Sequence, residues 1–156
     1  MLTIVGCGNS NRSDDGVGVV VAQRLQAHLN DKPNSTIRVF DAGTAGMDVM
    51  FQARGCTTLI IVDANSSGSK PGSIFKVPGN ELENLPEPSY NLHDFRWDHA
   101  LYAGRKIFKE QFPSDITVYL IEVANLSLGL ELSPDVASAA DSVYESIKQT
   151  IGQYNG

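Results

Sequence analysis

Apolar and polar positions follow two rhythms along this chain. A short apolar run at residues 2–5 ends in Gly6 and Gly8, crosses a polar loop and reaches Asp14 and Asp15. Val17, Val20, Val21, Leu25 and Leu29 then recur at steps of three and four, the spacing of a helix with one buried stripe. Asn30, Asp31, Lys32 and Pro33 end that helix. Residues 36–40 read as a second strand, stopped by the loop Asp41-Ala42-Gly43-Thr44-Ala45-Gly46, and residues 47–53 as a short helix. Residues 57–62 are the most apolar run, and a strand apolar on both faces belongs at the centre of a parallel sheet. Residues 73–77 suit a short edge strand, 78–91 a long connection, 94–108 a helix and 116–123 the last strong strand. Ser133 as cap with Pro134 in the first turn starts a final helix, whose stripe is Val136, Ala139, Ala140, Val143, Ile147 and Ile151. Strands alternating with helices predict a single three-layer α/β/α domain over residues 1–156, around a mostly parallel, twisted five-stranded sheet.

Composition narrows the partners. The chain has 156 residues, 42% hydrophobic and 19% charged, enough for one domain with a sizeable core. A net charge of −6 argues against nucleic acid or an anionic membrane as the main partner. No apolar run is long enough to span a bilayer, and no secretory signal is expected, because the first strand leads directly into Gly6. A cytoplasmic setting is expected. Cys7 and Cys56 form no CxxC pair, which excludes a cysteine-rich zinc site. Both are expected as buried thiols, with a catalytic Cys7 as the minor reading.

The candidate chemistry lies at the strand ends. In one reading Ser13 or Asp14 caps the first helix and Asp15 offsets its positive end; in the other Asp14 and Asp15 are carboxylates held out for a metal or a proton, and the residues alone favour capping. A dinucleotide fingerprint lacks its third glycine, because Asn11 stands at that offset, and two carboxylates would repel a pyrophosphate. Asp15, Asp41 and Asp63 follow the first three strands and should converge beyond their carboxyl ends. Carboxylates gathered there repel unless a cation or a proton joins them. His93 adds an imidazole, making an open site for a divalent transition metal. His99 is the poorer candidate: six helical residues turn it by about 600° from His93. The G-x-S-x-G elbow of serine hydrolases and the H-E-x-x-H of zinc proteases are both absent.

Four of these features, in order, resemble one family. Gly6-x-Gly8-Asn9 followed by Asp14-Asp15-Gly16-Val17-Gly18 is similar to the opening of the hydrogenase maturation proteases. Asp41-Ala42-Gly43-Thr44-Ala45-Gly46 resembles their D-G-G-T box, and Asp63 and His93 fall where the family has acidic and histidine ligands. The resemblance runs from residue 2 to about 150. It implies an aspartyl-type endopeptidase that removes the C-terminal extension of a nickel-loaded [NiFe]-hydrogenase large-subunit precursor. By the same resemblance Asp15, Asp63 and His93 contact the metal, and Asp41 and Asp15 take part in catalysis or recognition. Nickel is then expected from the substrate, with no organic cofactor and with maturation chaperones as further partners. Three stretches depart from the family pattern and bear on which hydrogenase is served. They are Ser10-Asn11-Arg12, the Ala42 in place of a box glycine, and Asn91-Leu92-His93-Asp94-Phe95 in place of S-P-H-Q-x-G-L. The rival readings are a non-cleaving chaperone that senses the nickel-loaded subunit and a nucleotide-binding α/β protein.

Overall fold

The computed structural model describes residues 1–44, 46–79 and 97–154. His93 and the expected helix start at Asp94 lie outside these residues, as does the side chain of His99. The described elements run β1 (Leu2–Cys7), α1 (Val17–Asp31), β2 (Ile37–Gly43), α2 (Gly46–Ala53), β3 (Thr58–Asn65), β4 (Ile74–Pro78), α3 (Trp97–Phe108), β5 (Asp115–Glu122) and α4 (Pro134–Gln153). A 3-10 turn at Ser13–Gly16 leads into α1.

The sheet order is β2-β1-β3-β5-β4. The β2, β1, β3 and β5 pairings are parallel, and β4 joins β5 antiparallel at one edge. β3 takes the centre because residues 59–64 are buried on both faces. Its even-numbered residues Ile60, Val62 and Ala64 pack with Leu2 and Ile4 under α1 and α4. Leu59 and Ile61 pack with Val5 and Val118 under α2 and α3. Period-two alternation therefore sorts one apolar strand between two cores. The stripe read on α4 is buried at all of its positions, and both cysteines are buried. Among the described residues no helix is long and apolar enough to cross a membrane.

Two local expectations need correction. β2 and β3 run past their apolar stretches, so Asp41 and Asp63 lie within the strands rather than after them. The ladder continues because parallel partners remain, with Gly6 opposite Asp41 and Asp63 opposite Leu120. Nor does Ser13 or Asp14 cap α1: the N-cap is Gly16, and no side chain caps that end. Asp14 bonds instead to a distant loop, and Ser133, although it precedes Pro134 at the start of α4, gives its hydroxyl to Asp14.

Two glycines let α1 lie against the sheet. A Cβ on Gly18 would fall 2.3 Å from the Val62 carbonyl oxygen and 2.4 Å from that of Cys7; one on Gly6 would fall 2.2 Å from the Gly18 oxygen. The close helix–strand contact of a dinucleotide fold's third glycine is thus made here by Gly18. Gly18→Ala should push α1 off the sheet and cost about 1–3 kcal/mol. A thermal melt should show the midpoint lowered by roughly 3–10 °C.

Candidate active-site cleft

The connection from β1 goes to β2 on one side, and the chain then crosses to β3 on the other. Strand order reverses between β1 and β3, so their carboxyl ends splay apart and leave a crevice. A cleft of about 350 Å³ opens there, with Cys7, Gly8, Asp15, Gly43, Thr44 and Asp63 among its walls.

Backbone geometry places Asp15 and Asp63 in the wall of this cleft. Gly8 adopts φ +133°, a conformation side chains rarely reach, and a Cβ there would meet the Asp15 carbonyl oxygen at 1.9 Å. The same Cβ position is 3.8 Å from Asp63 Oδ1. The Gly8 N–H donates to the Gly43 carbonyl at 2.8 Å and ties β2 to the loop. Asp15 rides on the 3-10 turn, half-buried, and its Oδ2 accepts from the Asn9 N–H at 3.0 Å. Asp63 is buried at the end of β3, with Oδ1 accepting from the Ala64 N–H at 2.8 Å.

Asp41 stands apart from this pair. It is exposed, is not among the residues lining the cleft, and accepts from the Gly43 N–H at 2.9 Å. Its bond fixes the backbone at Gly43, which does line the cleft. Among the described residues no three His, Cys, Asp or Glu side chains are gathered closely enough to hold an ion.

Two further carboxylates build the walls. Asp14 is fully buried and accepts from the N–H groups of Ala124, Asn125 and Ser133 and from the Ser133 hydroxyl. Burial works to raise its pKa, but these hydrogen bonds outweigh it and hold the carboxyl below its ordinary range. Glu122, at the end of β5, accepts from the Ser67 hydroxyl and N–H and from Asn65 Nδ2. The Ser67 bonds prevail over burial and lower its pKa as well. Glu122 thereby fixes the loop after β3, where Asn65 and Ser66 line the cleft. Its signal in the sequence was an acid at the end of an apolar run, the same signal that marked Asp63.

Strand order and a switch-point cleft lined by two carboxylates define a doubly wound α/β protein with an acidic site on its carboxyl edge. The model of the hydrogenase maturation protease family (HycI) matches residues 19–150. Hydrogenase 2 maturation protease of Escherichia coli is 26% identical, over 94% of this chain and 87% of its own. A Methanocaldococcus jannaschii protein named for the same family is 34% identical, over 60% of each chain. The hydrogenase maturating endopeptidase HybD of E. coli has the same fold, with a TM-score of 0.80 at 22% identity over 97% of this chain and 92% of its own. The chain belongs to the hydrogenase maturation protease family, a family of peptidases. The matched span holds Asp41, Asp63 and His93 and begins just after Asp15.

Proposed function

We propose that this chain is the endopeptidase that removes the C-terminal extension of a [NiFe]-hydrogenase large-subunit precursor, and that nickel already in the precursor is what the cleft recognises. The observation that carries the proposal is the presence of both Asp15 and Asp63 in the wall of one switch-point cleft, in a member of this family. Two carboxylates beside a shared backbone turn suit a divalent cation better than any neutral peptide group. The nickel ion is here part of the substrate. His93, which lies outside the described residues, is the proposed third contact. Nickel gripped by Asp15, Asp63 and His93 sets the scissile bond against the cleft wall, and fixed position alone lowers the barrier to water attack. A carboxylate takes the proton from water as its oxygen bonds to the carbonyl carbon, and the departing amine takes a proton in turn.

The cleft geometry gives Asp15 the stronger claim to that proton and leaves Asp41 a positioning duty through Gly43. Asp41→Asn separates the two duties. An asparagine oxygen keeps the bond to the Gly43 N–H but takes no proton. Processing by Asp41→Asn is expected within about threefold of wild type, less than half the barrier change of a lost general base. A hundredfold loss in kcat would return Asp41 to the role of base.

The nucleotide reading is opposed by Asp15, which lines the cleft at the turn that leads into α1, where a phosphate would otherwise sit. The chaperone reading is separated by mass. Incubation of wild-type protein with nickel-loaded precursor should yield a large subunit shorter by its C-terminal extension; binding with an unchanged mass would favour the chaperone.

A further inference from the structure

Between β5 and α4 the sequence reads Leu126-Ser127-Leu128-Gly129-Leu130-Glu131-Leu132, apolar at every second position. Such a rhythm ordinarily marks a strand with one buried face. Here Leu132 packs against the core, but Leu126, Leu128 and Leu130 are 40%, 79% and 78% exposed. Looseness does not explain the exposure, because the backbone is fastened along its length. The Ser13 N–H donates to the Gly129 carbonyl at 2.8 Å, the Gly129 N–H to the Asn11 carbonyl at 2.9 Å, and the Ser13 hydroxyl to the Ser127 carbonyl at 2.9 Å. Arg12 and Gly129 form a parallel bridge, and buried Asp14 clamps the start and end of the segment through Ala124, Asn125 and Ser133. The segment thus turns its Ser127 and Gly129 backbone inward and holds leucines out.

Leu126 is also a wall of the cleft that holds Asp15 and Asp63. The strip is therefore continuous with the site, and residues 11–14, which fasten it, run directly into Asp15. Anything seated on the leucines is placed by the same turn that places that carboxylate.

We propose that Leu126, Leu128 and Leu130 form a docking ridge for the precursor chain beside its scissile bond, taking apolar side chains of that chain. This rests on the reading of the cleft as the place of cleavage. The chain bends at Ser127, Leu128 and Leu130, so the three leucines stand along a curved ridge that begins at the cleft wall. A protease that must seat one bond of a large protein gains from a rigid apolar contact next to the reacting site, since remote binding fixes the bond without altering its chemistry.

The test is the double substitution Leu128→Ser with Leu130→Ser, both at exposed positions, assayed with the nickel-loaded precursor. Its KM for processing and its Kd by calorimetry should each rise at least about tenfold, with kcat within about twofold. Replacing both residues by Met, which keeps an apolar side chain, should restore KM and Kd. Unchanged KM and Kd in the Ser variant overturn the ridge while leaving the cleavage reading in place. A change only in the oligomeric state seen by sedimentation also overturns it, because the leucines would then bind a second copy of this chain. If wild type binds the precursor through these leucines without shortening it, the ridge stands and the cleavage reading falls. If wild type neither binds nor shortens it, both fall.

Discussion

Asp15→Asn is expected to reduce precursor processing by at least about a hundredfold in kcat/KM while the protein stays folded. An asparagine oxygen can still accept from the Asn9 N–H, so the 3-10 turn keeps its anchor. What disappears is one of the two carboxylates that line the cleft among the described residues. Coordination of a divalent ion supplies several kcal/mol of stabilisation, and each ~1.4 kcal/mol is tenfold in rate, so loss of one contact accounts for two decades or more. Asp63→Asn should act in the same direction. It carries a greater folding risk, because Asp63 is buried and its Oδ1 holds the Ala64 N–H. A melt within about 2 °C of wild type for Asp15→Asn, well under the shift a lost kcal/mol gives, confines the effect to the site. Full activity in folded Asp15→Asn would remove that residue from the mechanism.

The adjacent residue should behave in the opposite way. Asp14→Asn is expected to leave chemistry alone and to destabilise the fold by about 2–4 kcal/mol. The carboxylate faces only donors: three N–H groups and a hydroxyl. Whichever way an asparagine is turned, its amide group opposes one of those N–H groups and leaves it unsatisfied. The midpoint should fall by roughly 4–16 °C for a chain of this length. Its pH dependence has a definite sign. Because the folded carboxyl titrates below its ordinary value of 3.8, the stability it contributes is fully present above that value and is lost as pH falls through the folded pKa. The gap between wild-type and Asp14→Asn melts should be widest near neutrality and close in strong acid. A gap of constant width down to the most acidic melt would show that the charge is not what holds the loop.

The contrast between these neighbours shows what was legible in the sequence. The alternation of strands and helices was read from apolar spacing, the centre from residues 57–62, and the antiparallel edge from the short run before Pro78. These follow from local pattern, because burial on two faces demands a continuous apolar strand. Asp15 and Asp63 at one crevice follow from strand order, which the same pattern constrains. Local sequence offers Asp14, like Ser13, as a cap, because its actual partners, Ala124, Asn125 and Ser133, lie more than a hundred residues away and leave no local mark. Asp41 was grouped with the other strand-end acids. Beyond the register shift at Gly6 and Cys7, however, Gly43 stands opposite Cys7 and lines the cleft, while Asp41 remains exposed. A rule that counts strand ends does not specify which face the last residue takes.

Nickel dependence is the most direct test of the central claim. Nickel-loaded and nickel-free forms of the same large-subunit precursor, each incubated with wild-type protein, are compared by intact mass. The account predicts loss of the C-terminal extension from the nickel-loaded form alone, with the nickel-free form unchanged over the same time. Equal shortening of both forms would contradict nickel recognition by Asp15 and Asp63, and shortening of neither by folded protein would contradict the assignment of cleavage to this cleft.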